Sequence, residues 1–195
     1  TDAALTANQT YAFEVKARNG GGTQTSGATA NATTKIQSPT GVTFGTVSVT
    51  SIQAQPSGAF NNLSSGSSGV IVRNTTTSTD SGWSQAVSYW TSDSLSANTS
   101  YSFEVESRNL AGDSSGTAGA TKWTMIEAPT GITYGTIGTT SIQVQPQGSF
   151  TNLTQGTSGI RTVNMTLGGI HNSGWVQNLD AWTSGALTPN AQYQF

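Results

Sequence analysis

The sequence repeats itself with a period of about 90 residues, and this constrains the fold more than any single motif does. Residues 39–69 (PTGVTFGTVSVTSIQAQPSGAFNNLSSGSSG) return at 129–159 as PTGITYGTIGTTSIQVQPQGSFTNLTQGTSG, and residues 10–22 return at 100–112. A repeat of this length is long enough to be a domain with its own core, rather than one coil of a solenoid. The repeat therefore predicts successive small domains.

The offset between the copies widens from 90 to 92 residues at one place. Residues 81–103 return at 173–195, so two additional residues lie between Gly159 and Gly174. This stretch has the composition of a loop and contains His171, the only histidine of the chain. We expect a solvated loop histidine here, because a general base needs a positioned partner and a metal site needs several ligands.

The complete copy of the repeat carries strand signals and no helical period. Residues 41–46 and 51–55 alternate apolar and polar side chains, and residues 69–74 form a denser apolar run. Residues 101–108 (YSFEVESR) are predicted to place Tyr101, Phe103 and Val105 on one face, because alternate side chains of a strand point to the same side. With a last strand near 117–123, about seven short strands predict a two-sheet β-sandwich.

Two segments carry a family resemblance. The sequences LSANTSYSFEVESRNLAG (95–112) and LTANQTYAFEVKARNGGG (5–22) resemble the E–F turn and F strand of fibronectin type III domains. The resemblance implies an all-β chain of tandem fibronectin type III (immunoglobulin-like) β-sandwiches. It also implies tyrosine corners, in which the tyrosine hydroxyl bonds backbone near the preceding turn, at Tyr11, Tyr101 and Tyr193. Similar arrays occur in long bacterial surface and secreted proteins, so we expect an extracellular or cell-surface location.

Strand B departs from that resemblance, because the family usually buries a tryptophan there and SIQAQP (51–56) has none. Trp83 and Trp90, with their counterparts Trp175 and Trp182, are the expected substitutes. We interpret their recurrence as a mark of core positions, since large aromatic side chains dominate burial in a chain with 33% hydrophobic residues. The alternative is a glycan-stacking platform made of the same four tryptophans.

Aligned on the repeat, the chain comprises three segments. Residues 1–36 are predicted to be the C-terminal strands (F and G) of an incomplete sandwich, and residues 37–126 a complete fibronectin type III-like domain. Residues 127–195 are predicted to be a sandwich that lacks its last strands, which a following or neighbouring segment completes. The ends of the sequence are thus expected to lie out of phase with the domains.

Two arrangements would complete the third segment. In the first, the 195 residues are a window of a longer array, and the missing strands come from the next repeat. In the second, residues 1–36 of one copy supply strands F and G to residues 129–195 of its neighbour, giving a head-to-tail polymer that does not close. The start of strand F at both ends, in 1–13 and 183–195, favours the first.

The composition argues against catalysis and against nucleic-acid binding. Only 8% of residues are charged, the net charge is −2, and cysteine is absent. There is no basic run, no cluster of metal-ligand residues, and no apolar stretch long enough to cross a membrane. We predict that the protein is not an enzyme, and that it has no catalytic residues, no cofactor, no metal site, no nucleic-acid partner and no membrane insertion.

Seven sequons offer glycosylation sites, only slightly more than chance predicts. They lie at Asn8, Asn31, Asn62, Asn74, Asn98, Asn152 and Asn164. Asn8 and Asn98 also fall in the E–F turn, where asparagine has a conformational role that needs no sugar.

The leading functional prediction is a non-catalytic structural repeat of an extracellular or cell-surface fibre, sheath or surface layer. The predicted partners are copies of itself or adjacent repeats of the same chain, joined head to tail, with glycans as a further class. The alternative is an adhesin stalk or a carbohydrate-binding accessory module.

Overall fold

The structure, a computed structural model, describes residues 4–195. Within this range every regular element is a β-strand, so the chain is all-β as predicted. The described residues include no helix long and apolar enough to span a membrane. The strands are β1 (Thr10–Val15), β2 (Ala28–Thr33), β3 (Gly41–Val47), β4 (Ile52–Ser57), β5 (Gly69–Asn74), β6 (Thr79–Asp80), β7 (Trp90–Ser92), β8 (Ser100–Arg108), β9 (Ser114–Trp123), β10 (Gly131–Ile137), β11 (Ile142–Gln147) and β12 (Trp182–Ser184).

The chain divides into two compact units. The first unit comprises Thr1–Val47, Ile52–Asp93 and Tyr101–Lys122, and the second comprises Ser48–Ser51, Ser94–Ser100 and Trp123–Phe195. The limits of these units differ from the domain boundaries at 36/37 and 126/127 that the repeat predicts. Those boundaries therefore stay a prediction.

Strands β3 to β9 form one complete sandwich. One sheet has the order β3-β4-β7 and the other the order β6-β5-β8-β9. In immunoglobulin-type lettering these are sheets A-B-E and C′-C-F-G, the strand order of a fibronectin type III domain. The predicted fold class is confirmed.

Strand β8 supplies the centre of this core. Tyr101, Phe103 and Val105 are buried, while the alternate residues face the other side of the sheet, as the sequence predicted. The ring of Phe103 meets that of Phe44 from the opposite sheet edge-to-face, with 5.5 Å between centroids. This contact ties strand F to strand A across the sandwich.

The two tryptophans of the complete sandwich have different positions. Trp90 lies directly opposite the buried Ala54 on the neighbouring strand, so it occupies volume that strand B itself leaves unfilled. Trp83 instead packs on the outer face of the C-F sheet, where the guanidinium of Arg108 lies 4.3 Å from its ring centroid. The expectation of a core position was therefore wrong for Trp83, because a cation–π stack covers the ring there.

Strands β1 and β2 form a separate two-stranded ribbon within the first unit. They pair from Thr10↔Thr33 to Val15↔Ala28. The ribbon repeats strands β8 and β9 in sequence, but its apolar face is uncovered, and 73% of Val15 is exposed.

The second unit contains the sheet β10-β11-β12, which repeats the pairing of β3-β4-β7. Phe195 occupies the position of Phe103, and its ring packs against Tyr134 at 6.0 Å and Trp182 at 6.5 Å. The segment corresponding to β5 is present only as isolated bridges, Ile160↔Val176 and Val163↔Asn172.

The two-residue insertion lies in the turn between strands C and C′. Asn74 donates to Ser92 Oγ at 3.0 Å, and Asn164 donates in the same way to Ser184 Oγ at 3.0 Å. The extra residues therefore follow Asn164, whose backbone N–H donates to the carbonyl of His171. His171 is exposed in this turn, as expected for a loop histidine.

The outer face of the complete sandwich carries a carboxylate whose charge affects stability. Arg73 Nη1 lies 2.6 Å from Glu106 Oε2. Burial alone would raise the pKa of Glu106, but hydrogen bonds from Ser114 and Arg73 and the positive charges of Arg73 and Arg108 outweigh burial, so the pKa lies below its ordinary value. A carboxyl with a lower pKa in the folded state stabilises the fold above its unfolded pKa, and this contribution is lost as the pH falls.

We predict that the first unit becomes less stable as the pH falls below about 4.5 towards the depressed pKa of Glu106. Glu106→Gln should remove this part of the acid dependence and cost about 1 kcal/mol or less at neutral pH. Hydrogen exchange of strands β5 and β8 across a pH series measures the effect. Glu104→Gln is the matched control, and equal acid sensitivity of Glu106→Gln and the unchanged chain would contradict the prediction.

Candidate assembly site

The second unit presents an unpaired strand edge at residues 159–163, called here the open edge. The N–H and carbonyl of Ile160 bond to Val176 on the C′ side, at 2.8 and 2.9 Å. The backbone groups of Gly159, Arg161 and Val163 therefore face the other way, because successive residues of a strand alternate their bonding direction. Among residues 4–195, no strand pairs with this edge of the second unit. In the first unit the corresponding edge of β5 pairs with β8 over six residue pairs.

The apolar interior of the second unit is uncovered on the same side; we call this surface the open face. Ile132, Tyr134 and Ile137 are exposed, whereas their counterparts Val42, Phe44 and Val47 are half-buried. Ile137 is 68% exposed. A cavity of about 200 Å³ opens here and is lined by Pro129, Gly131, Ile132, Pro146, Ile160, Arg161, Thr162, Val163, Met165 and Phe195.

A larger groove of about 880 Å³, the loop groove, lies beside the open edge in the second unit. It is lined by Asn98, Trp123, Ile126, Gln155, Gly156, Thr157, Ser158, Gly159 and Trp175. In the first unit the same position holds the F–G loop, where the carbonyl of Leu110 accepts from the Ser67 N–H at 3.0 Å. A Cβ on Gly66 would come within 2.8 Å of the Leu110 oxygen, whereas one on Gly156 would meet nothing within 4 Å.

Trp175 borders both the open edge and the loop groove and is 68% exposed. The guanidinium of Arg161 lies 5.2 Å from its ring centroid. Its counterpart Trp83 is contacted by two guanidinium groups, those of Arg73 and Arg108. In the first unit, strand F supplies Arg108 to this stack. Among the described residues, Trp175 contacts Arg161 and has no cation from strand F.

The ribbon β1–β2 of the first unit also has an uncovered apolar face. Its strand β1 repeats β8, with Tyr11, Phe13 and Val15 in the places of the three buried residues Tyr101, Phe103 and Val105. Phe13 and Val15 are exposed. A strand with an uncovered apolar face and a sheet with an unpaired edge are the two complementary parts of strand addition.

A pair of asparagines joins the ribbon to the complete sandwich in the first unit. Asn8 Nδ2 donates to the Asn62 carbonyl at 2.7 Å, and Asn62 Nδ2 donates to the Ala7 carbonyl at 3.2 Å. Asn8 Oδ1 accepts from the Leu110 N–H at 2.6 Å. Both asparagines have positive φ, 55° and 54°, a backbone conformation that asparagine tolerates better than most residues. We call this arrangement the asparagine clamp.

The asparagine clamp recurs in the second unit. Asn98 Nδ2 donates to the Asn152 carbonyl at 2.6 Å, and Asn152 Nδ2 donates to the Ala97 carbonyl at 3.3 Å. The φ values are again positive, 46° and 55°. The same neutral bonds therefore connect an E–F turn to the B–C loop of the following sandwich twice along the chain.

Tyr11, Tyr101 and Tyr193, for which the resemblance implies tyrosine corners, lie at equivalent positions of the repeat. The hydroxyl of Tyr11 accepts from the Thr6 N–H at 2.7 Å, and that of Tyr193 accepts from the Thr188 N–H at 2.7 Å. Tyr101 is buried at the equivalent position of β8. Each of the two bonds spans five residues and fixes the chain at the start of strand F.

The seven sequon asparagines fall into two groups. Asn8, Asn74, Asn98 and Asn164 are buried and their amide nitrogens donate hydrogen bonds, so a glycan there would displace these bonds. The exposed members are Asn31, Asn62 and Asn152. Glycosylation stays a prediction, and a glycan on Asn62 or Asn152 would also displace a bond of the asparagine clamp.

Across residues 4–195 no group of three histidine, cysteine or carboxylate side chains is close enough to hold a metal ion. The carboxylates that recur on strand F form ion pairs. Glu104 and Glu106 pair with Arg73, whereas Glu14 pairs with Lys16 at 2.9 Å. Arg108 stacks on Trp83.

The solved structures similar to this chain include fibronectin type III domain segments. No protein-family model and no curated protein matches the chain. A two fibronectin type III domain segment from chicken tenascin aligns with a TM-score of 0.48 and 13% identity, over 80% of this chain and 87% of that chain. The FN1–FN3 domains of chicken CNTN1 align with a TM-score of 0.37 and 15% identity, over 96% of this chain and 68% of that chain. The fold assignment rests on the strand order of the chain itself.

Sequence reasoning missed the asparagine clamp and the loop groove. The repeat did contain a signal, since Asn62 and Asn152 recur at the same offset as Asn8 and Asn98. Their pairing, however, depends on contact between segments about 54 residues apart, which the spacing does not reveal.

We predict that Asn8→Ala loosens the junction between the ribbon and the complete sandwich more than Asn8→Gly does. Both variants lose the amide bonds, at about 1–3 kcal/mol for the buried partners, but alanine also strains a backbone with φ of 55° by about 1 kcal/mol. Hydrogen exchange of the Leu110 N–H and of residues 61–62 reports the loosening. Asn31→Ala, on the exposed ribbon surface, is the control, and equal protection in both Asn8 variants would contradict the strain argument.

Proposed function

We propose that the protein is a non-catalytic structural repeat of an extracellular fibre, sheath or surface layer, in which sandwiches are completed across repeat or subunit boundaries. The observation that carries the proposal is the open edge of the second unit together with its uncovered open face. An F–G ribbon from a copy or an adjacent repeat supplies the missing strands. The joint is heterologous, because the ribbon and the open edge are different surfaces, and such a joint extends head to tail without closing.

Two further features support a role in an extended array. The asparagine clamp occurs twice with the same bonds, so successive junctions are built alike. The low content of charged side chains, 8%, suits close packing between neighbours, because few strongly hydrated groups lose water at a contact. A bacterial surface origin and an extracellular location are parts of this proposal.

The proposal predicts that the purified chain associates into linear oligomers as its concentration rises. Ile132→Asp, on the open face, and Val15→Asp, on the ribbon, should each weaken association, because a charge would be buried in the completed core. Both positions are already exposed, so the separate units should remain folded. Sedimentation velocity and electron microscopy measure the outcome.

Thr117→Asp, at an exposed position of β9, is the matched control for the added charge. The proposal fails if the chain stays monomeric at all accessible concentrations. It also fails if the two core variants associate as readily as the control.

A second candidate is a carbohydrate-binding accessory module or adhesin stalk. The observation that favours it is the exposure of Trp175 in a groove that also contains Trp123 and amide side chains. Aromatic faces with adjacent polar groups suit sugar rings. Binding of an oligosaccharide that disappears in Trp175→Ala, while the fold survives, would support this candidate, and no change in the variant would exclude Trp175 as the platform.

A further inference from the structure

We propose that Arg161 selects the strand that completes the second unit. The open edge accepts an F–G hairpin that carries a carboxylate opposite Arg161 and discriminates against one that carries a lysine there. This inference rests on the proposed function and deepens it, because it states which hairpin chemistry the open edge takes.

The register of the first unit defines which residues would meet. Strand β5 pairs with β8 so that Ile71 lies opposite Glu106, and Gly69 lies opposite Arg108. The counterpart of Ile71 in the second unit is Arg161, at the offset of 90 that holds from Pro39 to Asn74. Residues directly opposite on an antiparallel pair have neighbouring side chains on the same face, where unlike charges attract and like charges repel.

In the second unit, the positive charge on this face lies at a different position of the strand. In the first unit the cation is Arg73, which reaches Glu106 diagonally at 2.6 Å. Its counterpart Val163 is uncharged, and the cation stands two residues earlier at Arg161. Arg161 is exposed on the outer face beside Trp175, directly opposite the place that a residue like Glu106 would take.

The chain itself contains one hairpin that matches this arrangement and one that does not. Strand β8 has Glu106 at the position in question and continues into Leu110, which fills the equivalent of the loop groove. In the ribbon β1–β2, Lys16 takes the position of Glu106 and Gly20 takes the position of Leu110. A lysine opposite Arg161 sets two like charges side by side, and a glycine leaves the loop groove without an apolar side chain.

The position of Phe195 shows that strand F of the second unit has the register of the first unit. The carbonyl of Gln194 accepts from the Met165 N–H at 2.7 Å, as that of Ser102 accepts from the Thr75 N–H in the first unit. Phe195 thus fills the place of Phe103. In the register of the first unit, the residue in the place of Glu106 therefore meets Arg161.

Two peptides from the protein test the inference on the intact chain. Peptide 104–123 (EVESRNLAGDSSGTAGATKW) carries Glu106, and peptide 14–33 (EVKARNGGGTQTSGATANAT) carries Lys16. We expect peptide 104–123 to bind about tenfold more tightly than the same peptide with Glu106→Lys, and also more tightly than peptide 14–33. Fluorescence anisotropy of labelled peptides measures the affinities, and hydrogen exchange at residues 159–163 locates the binding.

The variant Arg161→Glu should reverse the preference, so that peptides with a lysine at the facing position bind more tightly. It should also strengthen self-association of the chain, because the introduced carboxylate would then face Lys16. Lys35→Glu, which replaces an exposed cation of the first unit, is the charge-matched control and should leave the preference unchanged.

The outcomes separate this inference from the proposed function. Binding of both peptides with equal affinity, unchanged by Arg161→Glu, overturns the selection by Arg161 and leaves strand completion intact. Tighter binding of peptide 14–33 to the unchanged chain also overturns it. Failure of both peptides to protect residues 159–163 overturns the strand-completion proposal and this inference together.

Discussion

The burial of one strand between two sheets is the interaction on which each sandwich depends. In the complete domain, Tyr101, Phe103 and Val105 of strand F are buried together, and each contributes about 1.5–3 kcal/mol by its removal from water. With only 33% hydrophobic residues, the chain has few other groups of this size. In the second unit their counterparts Tyr193 and Phe195 are only half-buried.

This dependence explains why the two units differ so much despite their similar sequences. The C strand is regular in the first unit, where β8 pairs with it, and it is reduced to isolated bridges in the second. Strand regularity here comes from pairing, because Ile160, Thr162 and Asn164 are still buried in the second unit. The surface that would form an interface is therefore part of the domain core itself.

The alternation in YSFEVESR was enough to predict strand F, its buried face and the fold class, because the period of a strand is a local property. The location of Trp83 could not be predicted in the same way. Its repetition indicated a core position, but the ring stacks with Arg108, and that contact joins strands distant in sequence. Likewise the insertion near His171 was visible as a length change, whereas its position in the C–C′ turn required the bond from Asn164 to Ser184. The positions of Trp83 and of the insertion depend on side-chain contacts between distant segments, which the sequence pattern does not reveal.

The asparagine clamp has a consequence for the conditions under which such an array would keep its shape. Its bonds join amide groups and backbone carbonyls, and none of the atoms involved carries a net charge. Dissolved salt screens charged groups strongly but has little effect on short neutral hydrogen bonds. The clamp bonds should therefore be equally strong in fresh water and in brine. Acidification would act instead on Glu127 at the second junction, whose carboxylate accepts from the Thr151 N–H at 2.9 Å.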